Sequence, residues 1–144
     1  MTDNLLNQDE IPVPVVKELS SAKIALITDG GLVPIGNPDQ IESSNATRYG
    51  KYSIKGLGRL DPDDYEVSHL GYDTAAVSRD PNRLVPVDIL RDLEREGVIG
   101  KLCESFYATT GFDTTPENST IMGQSIAKEL RAEGVDGVIF LSSI

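Results

Sequence analysis

The chain predicts an α/β fold, a mostly parallel sheet with helices packed on it in three layers, and three observations carry that prediction. The run Lys23-Ile24-Ala25-Leu26-Ile27-Thr28 is short and nearly all apolar, as is Val138-Ile139-Phe140-Leu141, and a well-punctuated amphipathic pattern lies ahead of the second run. Short continuous apolar runs read as strands buried on both faces of a parallel sheet. A helix that feeds such a strand is the back half of a right-handed βαβ unit.

In chain order, residues 1–12 form an acidic stretch without periodicity, which predicts a flexible arm and leaves 13–144 as a single α/β domain, whole or incomplete. Pro14-Val15-Val16-Lys17-Glu18-Leu19 predicts a short helix begun by proline. The strand over 23–28 then runs into Asp29-Gly30-Gly31. Between residues 30 and 72, Gly36-Asn37-Pro38-Asp39, Glu42-Ser43-Ser44-Asn45 and Asp61-Pro62-Asp63-Asp64 predict a long loop region. Tyr49, Tyr52, Ile54, Leu57 and Leu60 within it carry too much apolar surface for a disordered linker, so the loops are expected to be ordered.

Pro86 starts a helix with Ile89, Leu90 and Leu93 on one face, charges at 91–96 on the other, and Gly97 to end it. A short strand follows over about Ser105 to Thr109, closed by Thr110-Gly111. Thr115 is suited to cap a second helix with Pro116 at its first position, an apolar stripe of Ile121, Met122, Ile126 and Leu130, and Gly134 at its end. There is no internal repeat.

Composition narrows the function classes. With 144 residues and 39% apolar content, the chain makes one domain with a real core. A net charge of −10 without a lysine/arginine cluster argues against nucleic acid or anionic membrane as a partner. The N-terminus lacks a basic start followed by an apolar run, which predicts a cytoplasmic protein, and the sequons at Asn45 and Asn118 would matter only on a secretory route. One cysteine, Cys103, and one histidine, His69, exclude intrachain disulfides and leave no metal site of the cysteine- or histidine-rich kind.

In open α/β sheets chemistry gathers beyond the carboxyl ends of the strands. Three such ends carry small polar groups: Asp29, Thr109-Thr110-Gly111 and Ser142-Ser143. The amides of Asp29-Gly30-Gly31 suit a carboxylate or phosphate, or simply make a strand-ending turn. Ser68-His69-Leu70-Gly71-Tyr72-Asp73 gathers hydroxyl, imidazole, phenol and carboxylate, which fits proton transfer or carboxylate binding, or a histidine that ties down a loop. Cys103 reads as a nucleophile or as a small buried hydrophobe. The substrate-binding candidates are therefore Asp29, Gly30, Gly31, Ser68, His69, Tyr72, Asp73, Thr109, Thr110, Gly111, Ser142 and Ser143.

Ala25-Leu26-Ile27-Thr28-Asp29-Gly30-Gly31, Gly36-Asn37-Pro38-Asp39, Ser68-His69-Leu70-Gly71-Tyr72-Asp73, Asp80-Pro81-Asn82-Arg83 and Phe106-Tyr107-Ala108-Thr109-Thr110-Gly111 together resemble the component B selenoprotein of the glycine, sarcosine and betaine reductases. The similarity runs from about Ile11 to Ser143. It implies a reductive deamination in which a partner subunit bearing a pyruvoyl group forms a Schiff base with the amino-acid substrate. Component B activates the carbon–nitrogen bond, the selenol of selenoprotein A takes the carboxymethyl group, and protein C releases acetyl phosphate. The family's selenocysteine falls at or just after Ile144, followed by Cys-x-x-Cys and more α/β domain. The chain thus resembles the N-terminal part of the family's polypeptide, with no catalytic residue or cofactor of its own.

Two origins fit that resemblance: a selenocysteine codon read as a stop, or a family fragment kept as a separate protein. Either predicts no reductase activity in isolation, and an uncovered edge predicts a homo-oligomer or partner binding. The competing function class is a non-catalytic α/β binding or assembly module. A third, an enzyme similar to aspartate racemases, lacks the paired cysteines such an enzyme uses.

Overall fold

The computed structural model describes residues 15–16 and 18–143. The acidic arm, Pro14 and Lys17 of the expected first helix, and Ile144 lie outside the described residues. Where that helix was expected, the described chain makes only a 3-10 turn at Leu19–Ser21, with Val15 and Leu19 exposed. A proline start without a buried face gives too little packing to hold a helix of this length.

The elements that follow are β1 (Lys23–Thr28), β2 (Leu32–Pro34), β3 (Gly50–Ser53), β4 (Tyr65–Val67), α1 (Ala75–Arg79), α2 (Val87–Arg95), β5 (Lys101–Ala108), α3 (Pro116–Ala132) and β6 (Gly137–Leu141). The main sheet has the order β3-β5-β1-β6. β1 is parallel to both β5 and β6, while β3 joins the outer side of β5 in antiparallel sense. β2 and β4 pair separately as a two-stranded antiparallel sheet.

Period-two alternation along β1 divides the core into two faces. Ile24 and Leu26 join Leu102 and Phe106 of β5 in packing against Val87 and Leu90 of α2. Ala25 and Ile27 join Cys103 and Tyr107 in packing against Ile126 and Leu130 of α3. The three-layer α/β architecture is therefore present, and each fully buried aliphatic side chain contributes about 1.5–3 kcal/mol to it.

The helix punctuation follows the sequence closely. The Thr115 hydroxyl accepts from the amide of Asn118, Pro116 opens α3, and Gly134 follows its end at φ +71°. Pro86 caps α2 from outside rather than forming its first residue, and Gly97 takes φ +74° beyond it. Met122, Ile126 and Leu130, four residues apart, face the sheet. Ile121 does not belong to that stripe: it is 62% exposed, rotated one residue off the buried face.

Three further expectations change. β5 begins at Lys101, earlier than residue 105, because its first half carries charge at Lys101 and Glu104 and includes a bulge: four residue steps from Leu102 to Phe106 span the two from Ile24 to Leu26. β6 is an edge strand rather than a buried one, leaving Ile139 39% and Phe140 58% exposed. The region from 30 to 72 is ordered and holds three short strands. Ile41, Tyr52, Ile54 and Leu60 are buried there, though Leu57 is not. The buried Asn82 amide clamps this region by accepting from Leu60 N and donating to Leu60 O, both at 2.9 Å. Among the described residues no helix is long and apolar enough to cross a membrane.

Candidate functional site

The parallel pairing of β1 with β6 brings their carboxyl ends side by side, with Thr28 opposite Leu141. Thr28 ends an otherwise apolar strand, and its buried hydroxyl serves both sides of the junction. It donates to the Leu141 carbonyl at 2.8 Å and accepts from the Gly30 amide at 2.9 Å. The next residue, Asp29, projects at the seam. Its carboxylate accepts from the Ser142 hydroxyl and from the Ser143 amide, each at 3.2 Å.

His69 arrives two residues after β4 and is buried, 6% exposed. The amide of Gly71 donates to its Nδ1 at 2.9 Å, so that nitrogen must present a lone pair. The tautomer assigned by this contact is neutral with its proton on Nε2, which lies 3.3 Å from the Ser143 hydroxyl oxygen. Burial pushes the His69 pKa down, against an upward pull from Asp29, and so favours the neutral ring. Tyr72 meets the imidazole edge-on at 4.8 Å and Phe112 flanks it at 6.0 Å. The Tyr72 hydroxyl donates to Gly30 O at 2.8 Å, and burial, aided by Asp29, pushes its phenol up to about 12.

The glycines and threonines frame this cluster. An antiparallel bridge joins Gly30 to Thr110, with Gly31 N donating to Thr109 O at 2.9 Å and Gly111 N to Asp29 O at 2.8 Å. The Gly30 amide is taken by Thr28 and the Gly31 amide by Thr109, so both already have partners inside the protein. Thr109 donates its hydroxyl to Arg48 O, Thr110 to Ser68 O and Ser68 to Ile41 O. Asp73 accepts from Ala75 N at the start of α1 and is exposed. Of the residues the sequence singled out, the structure therefore gathers Asp29, His69, Tyr72, Ser142 and Ser143. It uses Gly30, Gly31, Ser68, Thr109, Thr110 and Gly111 as their frame, and sets Asp73 apart, just ahead of α1.

Gly31 and Gly111 both stand close to their neighbours, Gly31 against backbone and Gly111 against a side chain. Gly31 has φ +74°, and a Cβ there would stand 2.1 Å from the Ser68 carbonyl oxygen. A Cβ on Gly111 would come within 2.8 Å of Asp29 Oδ2. Thr28, Gly71 and Phe112 escaped the sequence reading as members of the site. A threonine closing an apolar strand was the available signal for the first.

Serine, histidine and aspartate meet here, but not as a nucleophilic triad. In a triad the carboxylate orients the imidazole and the imidazole takes the serine proton. Here Asp29 binds the backbone of Ser143, the Gly71 amide orients His69, and Nε2–H points its proton toward Ser143. Cys103 is buried on the α3 face, where burial pushes its thiol up, away from the thiolate a nucleophile needs.

The profile of the glycine/sarcosine/betaine reductase selenoprotein B family matches residues 4–143. The chain belongs to this family. It is 52% identical over 132 residues to the glycine reductase complex component B subunit gamma of Carboxydothermus hydrogenoformans, covering 92% of this chain and 30% of that protein. It is 51% identical over 132 residues to the sarcosine reductase complex component B subunit beta of Peptoclostridium acidaminophilum, with the same coverage, 92% and 30%. To the betaine reductase complex component B subunit beta of that organism it is 46% identical over 145 residues, 94% of this chain and 33% of the relative. The selenoprotein B relatives it matches are thus components of amino-acid reductase complexes, and the chain spans about a third of their length. No solved structure matches.

Proposed function

We propose that this chain works within component B of a glycine, sarcosine or betaine reductase, as part of the substrate-activating subunit for reductive deamination leading to acetyl phosphate. The observation that carries the reading is that the family match includes the polar cluster of Asp29, His69, Ser142 and Ser143 at adjoining strand ends. That is where an open α/β sheet places its chemistry.

In this reading a pyruvoyl group on a partner subunit supplies an electrophilic carbonyl, and the family's selenocysteine, at or just after position 144, supplies the nucleophile. The residues of this chain hold and orient. Asp29 fixes the 142–143 segment against the end of β1, and His69 offers a proton-bearing nitrogen to the same segment. No side chain of the cluster is an activated nucleophile, so we propose that the chain is inactive alone. Its partners would be the pyruvoyl-containing component B subunit, selenoprotein A and protein C, in a cytoplasmic complex.

The exposed Ile139 and Phe140 of β6 favour a second reading, a non-catalytic binding or assembly module derived from the same family, with self-association through that edge.

Gel filtration of the chain mixed with the pyruvoyl-containing subunit separates the possibilities. Co-elution is expected, and separate elution would remove the subunit reading. If the co-eluting complex is completed with the selenocysteine-bearing remainder of the component B polypeptide, selenoprotein A and protein C, acetyl phosphate formation dependent on glycine, sarcosine or betaine supports the catalytic reading. A stable complex without it supports the assembly module.

A further inference from the structure

We infer that β6 is an inner strand of the assembled protein, covered by a further strand along its outer edge and by a helix beside α3, both supplied by the part of the component B polypeptide that this chain does not span. The inference rests on the component B reading, because it names where that part attaches.

The main sheet has two outer strands, and only one is built as an edge. β3 alternates buried and exposed positions and places Lys51 and Ser53 at the exposed ones. Charged side chains of this kind keep a sheet edge from pairing. β6 carries neither charge nor proline from Gly137 to Leu141. Its outer edge is also open. Leu141 O accepts from Asp29 N, which turns the backbone of Leu141 and, two residues back, Ile139 toward β1, and leaves the amides of Val138 and Phe140 pointing outward.

Both faces of β6 are bare as well. Its register sets Val138 beside Ala25 and Phe140 beside Ile27 on the α3 face, and Ile139 beside Leu26 on the α2 face. One strand inward Ala25, Leu26 and Ile27 are buried, yet Val138 is 44% and Phe140 58% exposed. The core under α3 takes in residues of β1 and β5 but none of β6. A strand that is apolar on both faces suits a place between parallel neighbours with helices on each side.

A second copy of the chain does not supply that place. Paired edge to edge it would add a strand, but its own α3 is seated on its own Ile27 and Tyr107, so Val138 and Phe140 would stay open to water. A strand that brings a crossover helix meets both needs. A right-handed step outward from β6 runs in the same direction as the step from β5 to β6, so its helix falls on the same face as α3, over Val138 and Phe140. The relatives have chain enough for this, since the present one spans 30%, 30% and 33% of three component B subunits and most of each lies outside it.

Hydrogen exchange compares the full chain with the intact component B subunit gamma of Carboxydothermus hydrogenoformans. In the full chain the Val138 and Phe140 amides should exchange at least about a hundredfold faster than that of Ile139, and in the intact relative the amides aligned with all three should be protected alike. Co-expression of the tagged full chain with the part of that relative outside the matched 132 residues should give a pair that co-purifies and slows both amides. Phe140→Ser should weaken capture about tenfold or more, while Ile121→Ser, which removes an equally exposed apolar side chain from α3, should leave it unchanged. Fast exchange at the aligned amides of the intact relative would overturn the proposal whatever the co-expression yields. So would protection of Val138 and Phe140 in the chain alone when light scattering finds it dimeric, a result that assigns the edge to a second copy. Co-elution with the pyruvoyl-containing subunit is read separately, so an uncovered β6 is distinct from a failure of the component B reading.

Discussion

The carboxylate of Asp29 accepts the amide of Ser143 at 3.2 Å, joining residues 114 positions apart across the carboxyl ends of β1 and β6. Together with the Ser142 hydroxyl on its other oxygen, this contact holds the last described residues of the chain at the strand seam. Asp29→Ala removes both acceptors and is expected to cost about 1–2 kcal/mol, with Asp29→Asn costing less because one acceptor oxygen remains. Urea denaturation gives the ranking, and hydrogen exchange at the Ser143 amide gives the location. Unchanged protection of that amide in Asp29→Ala would mean the contact does not hold the segment.

Gly31 and Gly36 both have positive φ, at +74° and +87°, but only Gly31 has a neighbour, the Ser68 carbonyl oxygen, where a Cβ would go. Gly36→Ala carries the backbone strain alone, about 1 kcal/mol. Gly31→Ala adds a clash with backbone that supports His69, and about 3 kcal/mol or more is expected. Thermal melts of the two variants read the difference directly. Equal melting temperatures would show that the loop after β1 yields to the methyl group.

How far the sequence reached depends on what kind of signal each element carries. β1 and α3 were readable because their burial patterns are long and their ends are marked, by Asp29-Gly30 after the strand and by Thr115-Pro116 and Gly134 around the helix. β3 alternates buried and exposed residues over only four positions, and β2 and β4 are three residues each, too short for periodicity to rise above the turn residues around them. β6 reads as a buried strand because Val138-Ile139-Phe140-Leu141 has that composition, yet only β1 pairs with it. Composition reports the environment a segment suits, and strand order lies in long-range pairing that no local pattern encodes. At the site, the chemistry-bearing residues were legible as polar strand ends. The direction of their hydrogen bonds was not, since it turns on the Gly71 amide reaching Nδ1 and on Thr28 and Thr109 taking the glycine amides.

His69 also makes stability depend on pH. Burial lowers its folded pKa below the ordinary 6.5, with Asp29 pulling the other way and the neutral Tyr72 and Phe112 rings beside it. The unfolded chain therefore binds the proton first as pH falls. Stability from the neutral imidazole is complete above the unfolded pKa and is lost as pH drops below it toward the folded one. Comparing unfolding free energies of the parent and His69→Gln at several values between about pH 7 and pH 5 isolates this residue. The parent should lose more stability over that interval than the glutamine variant, and parallel slopes would exclude His69 as the cause.

Cys103 supplies the sharpest contrast between two readings of one side chain. It is 2% exposed and packs with Ala25, Ile27, Tyr107, Ile126 and Leu130. Burial, joined by the nearby Glu133 carboxylate, pushes its thiol up even though Lys23, Lys101 and Lys51 pull it down. A disulfide reagent should therefore react with the folded chain about a hundredfold more slowly than with the denatured chain, because thiolate and access both require opening. Cys103→Ala should cost about 1–2 kcal/mol through the small cavity it leaves. Cys103→Ser nearly keeps the volume but brings a hydroxyl into an apolar layer, so about 2–3 kcal/mol is expected if no partner is found. If serine proved milder than alanine, the position would be polar in character and the buried-hydrophobe reading of Cys103 would fall.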